Sequence, residues 1–281
     1  MKYGIASNAF RKRGLSPMKS MKEMRKCGFE TVDYGLLVSP ETEMYRMSDE
    51  NFDATIQSHR ALIEESGLWV SQIHGPWRYP PHDADPDDRR IWFEYCKRAI
   101  RACAMIGSPY FVIHPLMPFG DVDEDIAFVR KLNLEFFRKL CAEGEKNGVV
   151  ICIENMPFGG QALARVAPML EFVKEINSPW LKVCLDTGHC ASLGDSVVDA
   201  VHMLGKEYLA VLHVHDNDGE HDRHWAPGTG VIDWEAFVKA LEEIGFEGSF
   251  SLETVIPEMI PNNAQMCYPR EFAQYLKDNK I

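Results

Sequence analysis

Apolar and polar positions switch between two periods along the whole chain. Short runs of two-residue alternation or continuous apolar character predict strands at YGIASN (3–8), ETVDYGL (30–36), VSQIHGP (70–76) and YFVIHP (110–115). The same signal recurs at VVICIENM (149–156), LKVCLDT (181–187), LAVLHVHDN (209–217) and GSFSLETV (248–255). Between these runs, apolar residues fall at three- and four-residue spacing, which predicts helices. DEDIAFVRKLNLEFFRKLCAEGEKNG (123–148) has an acidic start and a glycine stop. SPMKSMKEMRKCG (16–28) and DWEAFVKALEEIGFEG (233–248) share that form. In the second, Asp233 is placed to cap the helix and Glu235 sits in its first turn, where the helix dipole favours acids.

Eight strand-then-helix units of roughly 35 residues predict an α/β chain folded as a single (β/α)8 TIM barrel, one domain over residues 1–281. No Pro/Gly/Ser-rich linker interrupts the series. A doubly wound open sheet is the alternative, but it usually carries a Gly-rich phosphate turn after an early strand, and none is present.

Composition narrows the function classes. With 46% hydrophobic and 26% charged residues the chain reads as an ordinary soluble globular protein. It has no run of about 18 apolar residues, so no membrane partner is expected. The start, MKYGIASNAF, lacks the apolar stretch of a signal peptide, so a cytoplasmic location is expected. Cysteines 27, 96, 103, 141, 152, 184, 190 and 267 are scattered without a CxxC pair and read as small buried hydrophobes. The net charge of −12 repels polyanions, so no nucleic-acid partner is expected; RKR at 11–13 is only a short basic run.

The chemistry concentrates where strands end. In a barrel the C-terminal strand ends and their loops converge on one mouth. The predicted strands finish on His74, His114, Glu154, Asp186, His213 with His215, and Glu253. Alternation places Cys152 with Glu154, Cys184 with Asp186, and Ser251 with Glu253 on one face, while Ile151, Ile153, Val183, Leu185, Phe250 and Leu252 occupy the other. The apolar face suits the outer helices, so the carboxylates point into the barrel. Three buried carboxylates around one axis repel each other unless a cation joins them, which predicts a divalent metal. Three carboxylates and one imidazole suit Mn, Mg, Co or Zn. His74 and His114 can join a second ion, and His189 with Asp222 and His224 a third, in which case nitrogen-rich coordination favours zinc. His59, His82, His202 and His221 gain no such support. Trp77, Phe10, Phe158 and Trp225 lie just beyond strand ends, where they can form an apolar wall or exclude water; Trp77 leads as a substrate-binding candidate.

The motifs IHGPW, VIHP, CIENMP, CLDTGHC, LHVHDNDGEHDRHWAPGTGVIDW and SLET resemble, in order and over nearly the whole chain, the xylose-isomerase-like TIM-barrel superfamily. That group includes sugar and sugar-phosphate isomerases and epimerases, inositol-catabolism enzymes and endonuclease IV. The resemblance to its isomerase and epimerase branch implies one metal held by Glu154, Asp186, His213 and Glu253. His213 is preferred over His215 because the family pattern reads His-x-(Ser/Asn/His)-Asp. It also implies a metal-stabilised enediolate, with Glu154 and Glu253 as the catalytic proton carriers and His189 as a substrate contact. Arg223 and His224 can hold a substrate phosphate or carboxylate, though Arg223 can equally pair with loop acids. In ketose 3-epimerases a further Glu follows six residues after the first; Gly160 stands there, so substrate contacts must differ. The endonuclease IV branch uses two strand-end histidines and an Asp-x-His pair for three zinc ions. His74, His114, His189, Asp222 and His224 occupy those places, with His215 beside them. The functions implied are therefore a metal-dependent sugar or sugar-phosphate isomerase or epimerase, a multi-zinc phosphodiesterase, or an inosose dehydratase-like lyase. The expected partner is a small carbohydrate, with a homo-oligomer usual in such families.

Overall fold

In a computed structural model, which describes residues 1–9, 16–254, 271 and 275, the eight predicted strands form and pair only in parallel. They are β1 (Lys2–Ala6), β2 (Thr31–Asp33), β3 (Trp69–His74), β4 (Tyr110–Ile113), β5 (Val150–Glu154), β6 (Leu181–Asp186), β7 (Leu209–His213) and β8 (Ser249–Leu252). Each neighbours the next in sequence, and β8 pairs with β1. The ring closes just past β7, where the Val214 N–H donates to Ser251 O at 2.8 Å and the Glu253 N–H donates to Val214 O at 3.0 Å. The protein is a single (β/α)8 barrel.

The helices are α1 (Pro17–Lys26), α2 (Asp49–Ser66), α3 (Pro86–Ile106), α4 (Ile126–Asn147), α5 (Val166–Ile176), α6 (Thr187–Ser192), α7 (Val197–Tyr208) and α8 (Trp234–Glu243). Local sequence sets their limits. Ser16, Asp125 and Asp233 accept backbone N–H groups at the starts of α1, α4 and α8. Gly148 takes the left-handed conformation that ends α4. The observed helices are shorter than the periodic segments because capping residues and stop glycines lie outside the helical turns. None of the described helices is long and apolar enough to cross a membrane.

Side-chain alternation divides the strands into two layers. Ile151, Ile153, Val183, Leu185, Phe250 and Leu252 pack under the outer helices with Phe137, Phe172 and Phe237. Burying each such side chain contributes about 1.5–3 kcal/mol. Val112, Cys152, Cys184 and Val211 form a separate inner cluster, so the barrel interior is filled below its mouth. The hydroxyls of Thr31 and Ser249 meet at 2.6 Å near its base. A side chain at Gly4 would overlap both of them. The seven described cysteines are buried, as the sequence reading expects; Cys267 lies outside the described residues.

Candidate metal centre

Above the inner cluster, the strands deliver polar groups to one floor. Glu154 ends β5 and is almost fully buried. Its Oε1 lies 2.8 Å from His213 Nδ1, and its Oε2 lies 3.1 Å from His114 Nε2 and 3.5 Å from His74 Nε2. His74 ends β3, while His114 stands one residue past β4. Asp186 ends β6, and its Oδ1 accepts the His189 N–H at 2.6 Å, capping α6. Glu253 follows β8 and approaches His213 Nδ1 at 3.3 Å. Glu154, Asp186, His213 and Glu253 each offer one ligand atom within a mutual 4.8 Å.

Two further groups meet the same distance criterion. One is His74 with Glu154 and His213; the other is His189, His215, Asp222 and His224. His213 and His215 share the inner face but stand at different heights, since two residues of strand advance about 6.6 Å. His213 therefore faces the central carboxylates, while His215 lies 3.0 Å from Asp186 and 3.7 Å from Asp222.

The imidazole hydrogens have definite places. His74 Nδ1 lies 2.8 Å from Gly75 O, His189 Nδ1 2.7 Å from Asn155 O, and His224 Nδ1 2.7 Å from Glu253 O. Carbonyls only accept, so these Nδ1 atoms carry hydrogen and donate it. The Nε2 atoms then face carboxylates: His74 faces Glu154, and both His189 and His224 face Asp222 Oδ2 at 3.3 Å. A neutral ring would aim a lone pair at an anion there. Either a proton or a cation must occupy each position, and hydrogen-bonded imidazole with carboxylate is a fitting donor set for a divalent cation.

Titration follows the same geometry. Burial pushes the His189 imidazole down, but Asp186, Asp222 and Glu154 outweigh it and raise it to about 9. His224 is raised to about 10, because Asp222 and Glu253 overcome its burial. Burial would raise Asp222, but the two imidazoles hold it well below the usual carboxylate range. Glu154 is lowered likewise, chiefly by His213 and His114 against its burial. His114 itself is lowered, since burial dominates there.

The loops carrying these groups are tied together by residues that sequence reasoning missed. The Asn155 amide donates to Asp186 O and accepts the Asp186 N–H. Thr187 Oγ1 donates to His215 O at 2.7 Å, and Asn217 donates to Gly188 O at 2.6 Å. Gly188 lies so close to His215 that a Cβ there would overlap its ring. Buried Asp216 accepts from the backbones of Gly228, Gly230 and Ile232 and from the Trp234 indole, folding the Pro227–Gly230 turn back against the end of β7. Asp33, at the end of β2, faces His213 from the side away from Glu154.

A cavity of about 290 Å³ opens above the centre, lined by Asp33, His74, His114, Glu154, His189, Asp222, His224 and Glu253 with Ser7, Asn8, Trp77, Tyr79 and Phe158. Trp77 stands edge-on to His114, with ring centroids 4.5 Å apart. Arg223 is not among the lining residues; it turns outward and donates to Asp218 Oδ2 at 2.8 Å, the loop-acid pairing rather than a substrate contact. Trp225 is also away from the cavity, with its backbone paired to Asp216. Phe10 and the 11–13 basic run lie outside the described residues. His59 pairs with Tyr34, His202 with Glu243 and His221 with Asp218, and neither they nor His82 line the cavity. A Cβ at Gly160 would press on Val122 and the Asp121 carbonyl, so the neighbouring loop fills the space beside it.

A family profile described as xylose isomerase-like TIM barrel matches residues 21–275. The chain belongs to that family. Among its relatives is D-psicose 3-epimerase of Ruminiclostridium cellulolyticum, 28% identical over 211 residues, covering 73% of this chain and 69% of the relative. Another is a probable endonuclease 4 of Mycoplasma mobile, 26% identical over 208 residues, covering 67% and 70%. The crystal structure of a D-tagatose 3-epimerase-like protein superimposes over 99% of this chain and 97% of its own, with TM-score 0.78 and 23% identity. That structure supports the fold.

Proposed function

We propose that this protein is a divalent-metal-dependent isomerase or epimerase of a sugar or sugar phosphate. The observation carrying the reading is the ring of Glu154, Asp186, His213 and Glu253 ligand atoms within 4.8 Å, beneath a cavity of about 290 Å³. The D-psicose 3-epimerase relative supports it. The four residues would hold Mn, Zn, Co or Mg. When bound, such an ion supplies Lewis-acid polarisation of a carbonyl and its neighbouring hydroxyl, making the adjacent C–H more acidic. Glu253 is the more available proton carrier: its side chain is 28% exposed, whereas both Glu154 oxygens already face imidazoles. One glutamate takes the proton from the carbon beside the carbonyl onto a carboxylate oxygen, and the other returns it. His189 and His224 orient substrate hydroxyls, and Trp77 walls the bound substrate. With a net charge of −12, a small carbohydrate suits this chain better than nucleic acid.

A second reading rests on the other two groups, which with the central one would make a multi-metal phosphodiesterase centre; the endonuclease 4 relative supports that alternative. The two readings separate in one assay. Metal-loaded and chelated protein are incubated in deuterium oxide with a panel of ketoses and ketose phosphates, and in parallel with a duplex bearing an abasic site. The isomerase reading expects metal-dependent deuterium at carbon beside the carbonyl of one sugar. Strand cleavage without such exchange would replace it with the phosphodiesterase reading.

A further inference from the structure

His213 differs from its neighbours in what its outer nitrogen meets. His74, His189 and His224 each donate to a backbone carbonyl, but His213 Nε2 lies 2.8 Å from the Asp33 carboxylate. We propose that Asp33 is a positioning residue for the central cation site, holding His213 in the tautomer whose Nδ1 lone pair faces Glu154 and Glu253. The inference rests on the reading of that site as a metal site and adds a residue to it.

Three observations carry it. The first is the backbone. The β2–β3 register shifts between Val32 and Asp33, so Val32 opposes Val70 while Asp33 opposes Gln72. Such an irregularity re-aims a side chain at the end of a short strand. Ser71 Oγ donates to Val32 O at 3.2 Å and the Tyr34 N–H donates to Gln72 O at 3.0 Å, which fasten the shifted strands on both sides.

The second is the direction of each hydrogen. Gln72 Nε2 lies 3.2 Å from the Leu212 carbonyl, which accepts only, so the amide is oriented with its NH2 group inward. The same NH2 group donates to Asp33 Oδ2 at 3.2 Å. Asp33 Oδ2 is thus an acceptor from Gln72, and its remaining capacity is met by the His213 Nε2 hydrogen. With that hydrogen fixed outward, Nδ1 is left as the ligand atom, 2.8 Å from Glu154 and 3.3 Å from Glu253.

The third is chemistry. A carboxylate acceptor makes a charge-assisted hydrogen bond, stronger than one to a carbonyl, and increases the basicity of the ligating nitrogen. Gln72 and His213 are fully buried and Asp33 nearly so at the cavity floor, so water has little access to these bonds. The central site is therefore expected to bind a cation more tightly than the group built on carbonyl-anchored His189 and His224.

Asp33→Asn tests this with nearly unchanged shape. Both bonds fall on Oδ2, so an Asn oxygen at that place keeps them but without the charge, and leaves its NH2 at the buried, unpartnered Oδ1 position. An NH2 at that place instead faces both Gln72 and His213 and moves the ring hydrogen to Nδ1. Co2+ is titrated into chelated wild type, Asp33→Asn and Glu253→Gln, read by equilibrium dialysis and the visible absorption of Co2+; the sites missing in Glu253→Gln define the central class. The expected result is an affinity of that class reduced about 10- to 100-fold in Asp33→Asn, with the circular dichroism of the folded protein retained. Unchanged affinity would overturn the role of Asp33 while leaving the metal site standing. Equal binding by Glu253→Gln and wild type would instead overturn the central site, and this inference with it. A measurement on wild type covers the case in which Asp33→Asn does not fold. In the 15N spectrum of the zinc-loaded protein, His213 is expected to bind zinc through Nδ1 and carry hydrogen on Nε2. Zinc on Nε2 would refute the proposal.

Discussion

Replacing Asp216 with Asn should loosen the loop that carries Asp222 and His224, and the size of the effect can be worked from its bonds. Asp216 Oδ2 accepts from Gly228 N at 3.0 Å, Gly230 N at 2.9 Å and Trp234 Nε1 at 2.9 Å; Oδ1 accepts from Asn217 N at 3.0 Å and Ile232 N at 3.2 Å. An asparagine keeps one acceptor oxygen. Its best placement leaves the oxygen against three donors and sets an NH2 against the other two. Two bonds to a charged group are lost, each worth about 1.5–3 kcal/mol, while relief from burying the charge offsets part of that, leaving a cost of about 3 kcal/mol. At roughly 2 °C per kcal/mol for a chain of this length, Tm should fall by about 6 °C. Calorimetry gives the shift, and hydrogen exchange of the Gly228, Gly230 and Ile232 amides should accelerate relative to those of β5. A Tm within about 1 °C of wild type, with unchanged exchange at those amides, would refute the assignment of Asp216 as the anchor of this loop.

Other outcomes follow from the same geometry. Gly188→Ala drives a methyl group into the His215 ring, so it should cost about 1–3 kcal/mol, read by thermal melting. The pH dependence of the chelated protein has a definite sign. His189 and His224 are raised from 6.5 to about 9 and about 10, so the stability of their ion pairs is fully present below pH 6.5 and lost as pH rises through 9 to 10. The Tm of chelated wild type should therefore fall over that range more than that of a His189→Asn, His224→Asn double variant; equal slopes would refute the protonated-pair description. Trp77→Ala should raise KM more than it lowers kcat on the sugar that exchanges deuterium, whereas a fall confined to kcat would place Trp77 at the reacting carbon instead.

Much of this was legible from residue order. The parity of Cys152 with Glu154 and of Cys184 with Asp186 put cysteines and carboxylates on one face, and both cysteines do lie in the inner cluster beneath the centre. What escaped was set by register and by distance along the chain. Asp33 sat in the middle of the seven-residue run ETVDYGL, and nothing local shows that the strand is only Thr31–Asp33 or that its register shifts there. Its signal was the shared residue type at a strand end. Asp216 read as one more polar residue of a histidine-rich loop, because most of its donors come from 12 to 18 residues later. His213 and His215 have the same parity, so alternation cannot separate them; only height along the barrel does. Arg223 could face cavity or loop until Asp218 was placed beside it.

The central claim is that Glu154, Asp186, His213 and Glu253 hold a catalytic divalent ion. Its most direct test is the metal content, by elemental analysis, of wild type and Glu154→Gln after dialysis against a metal-free buffer. The account expects about one tightly held ion per chain in wild type and its loss in the variant, together with loss of metal-dependent turnover. Close to three zinc ions per chain would contradict the single-metal isomerase reading, and a Glu154→Gln protein that keeps its ion and full activity would contradict the site itself.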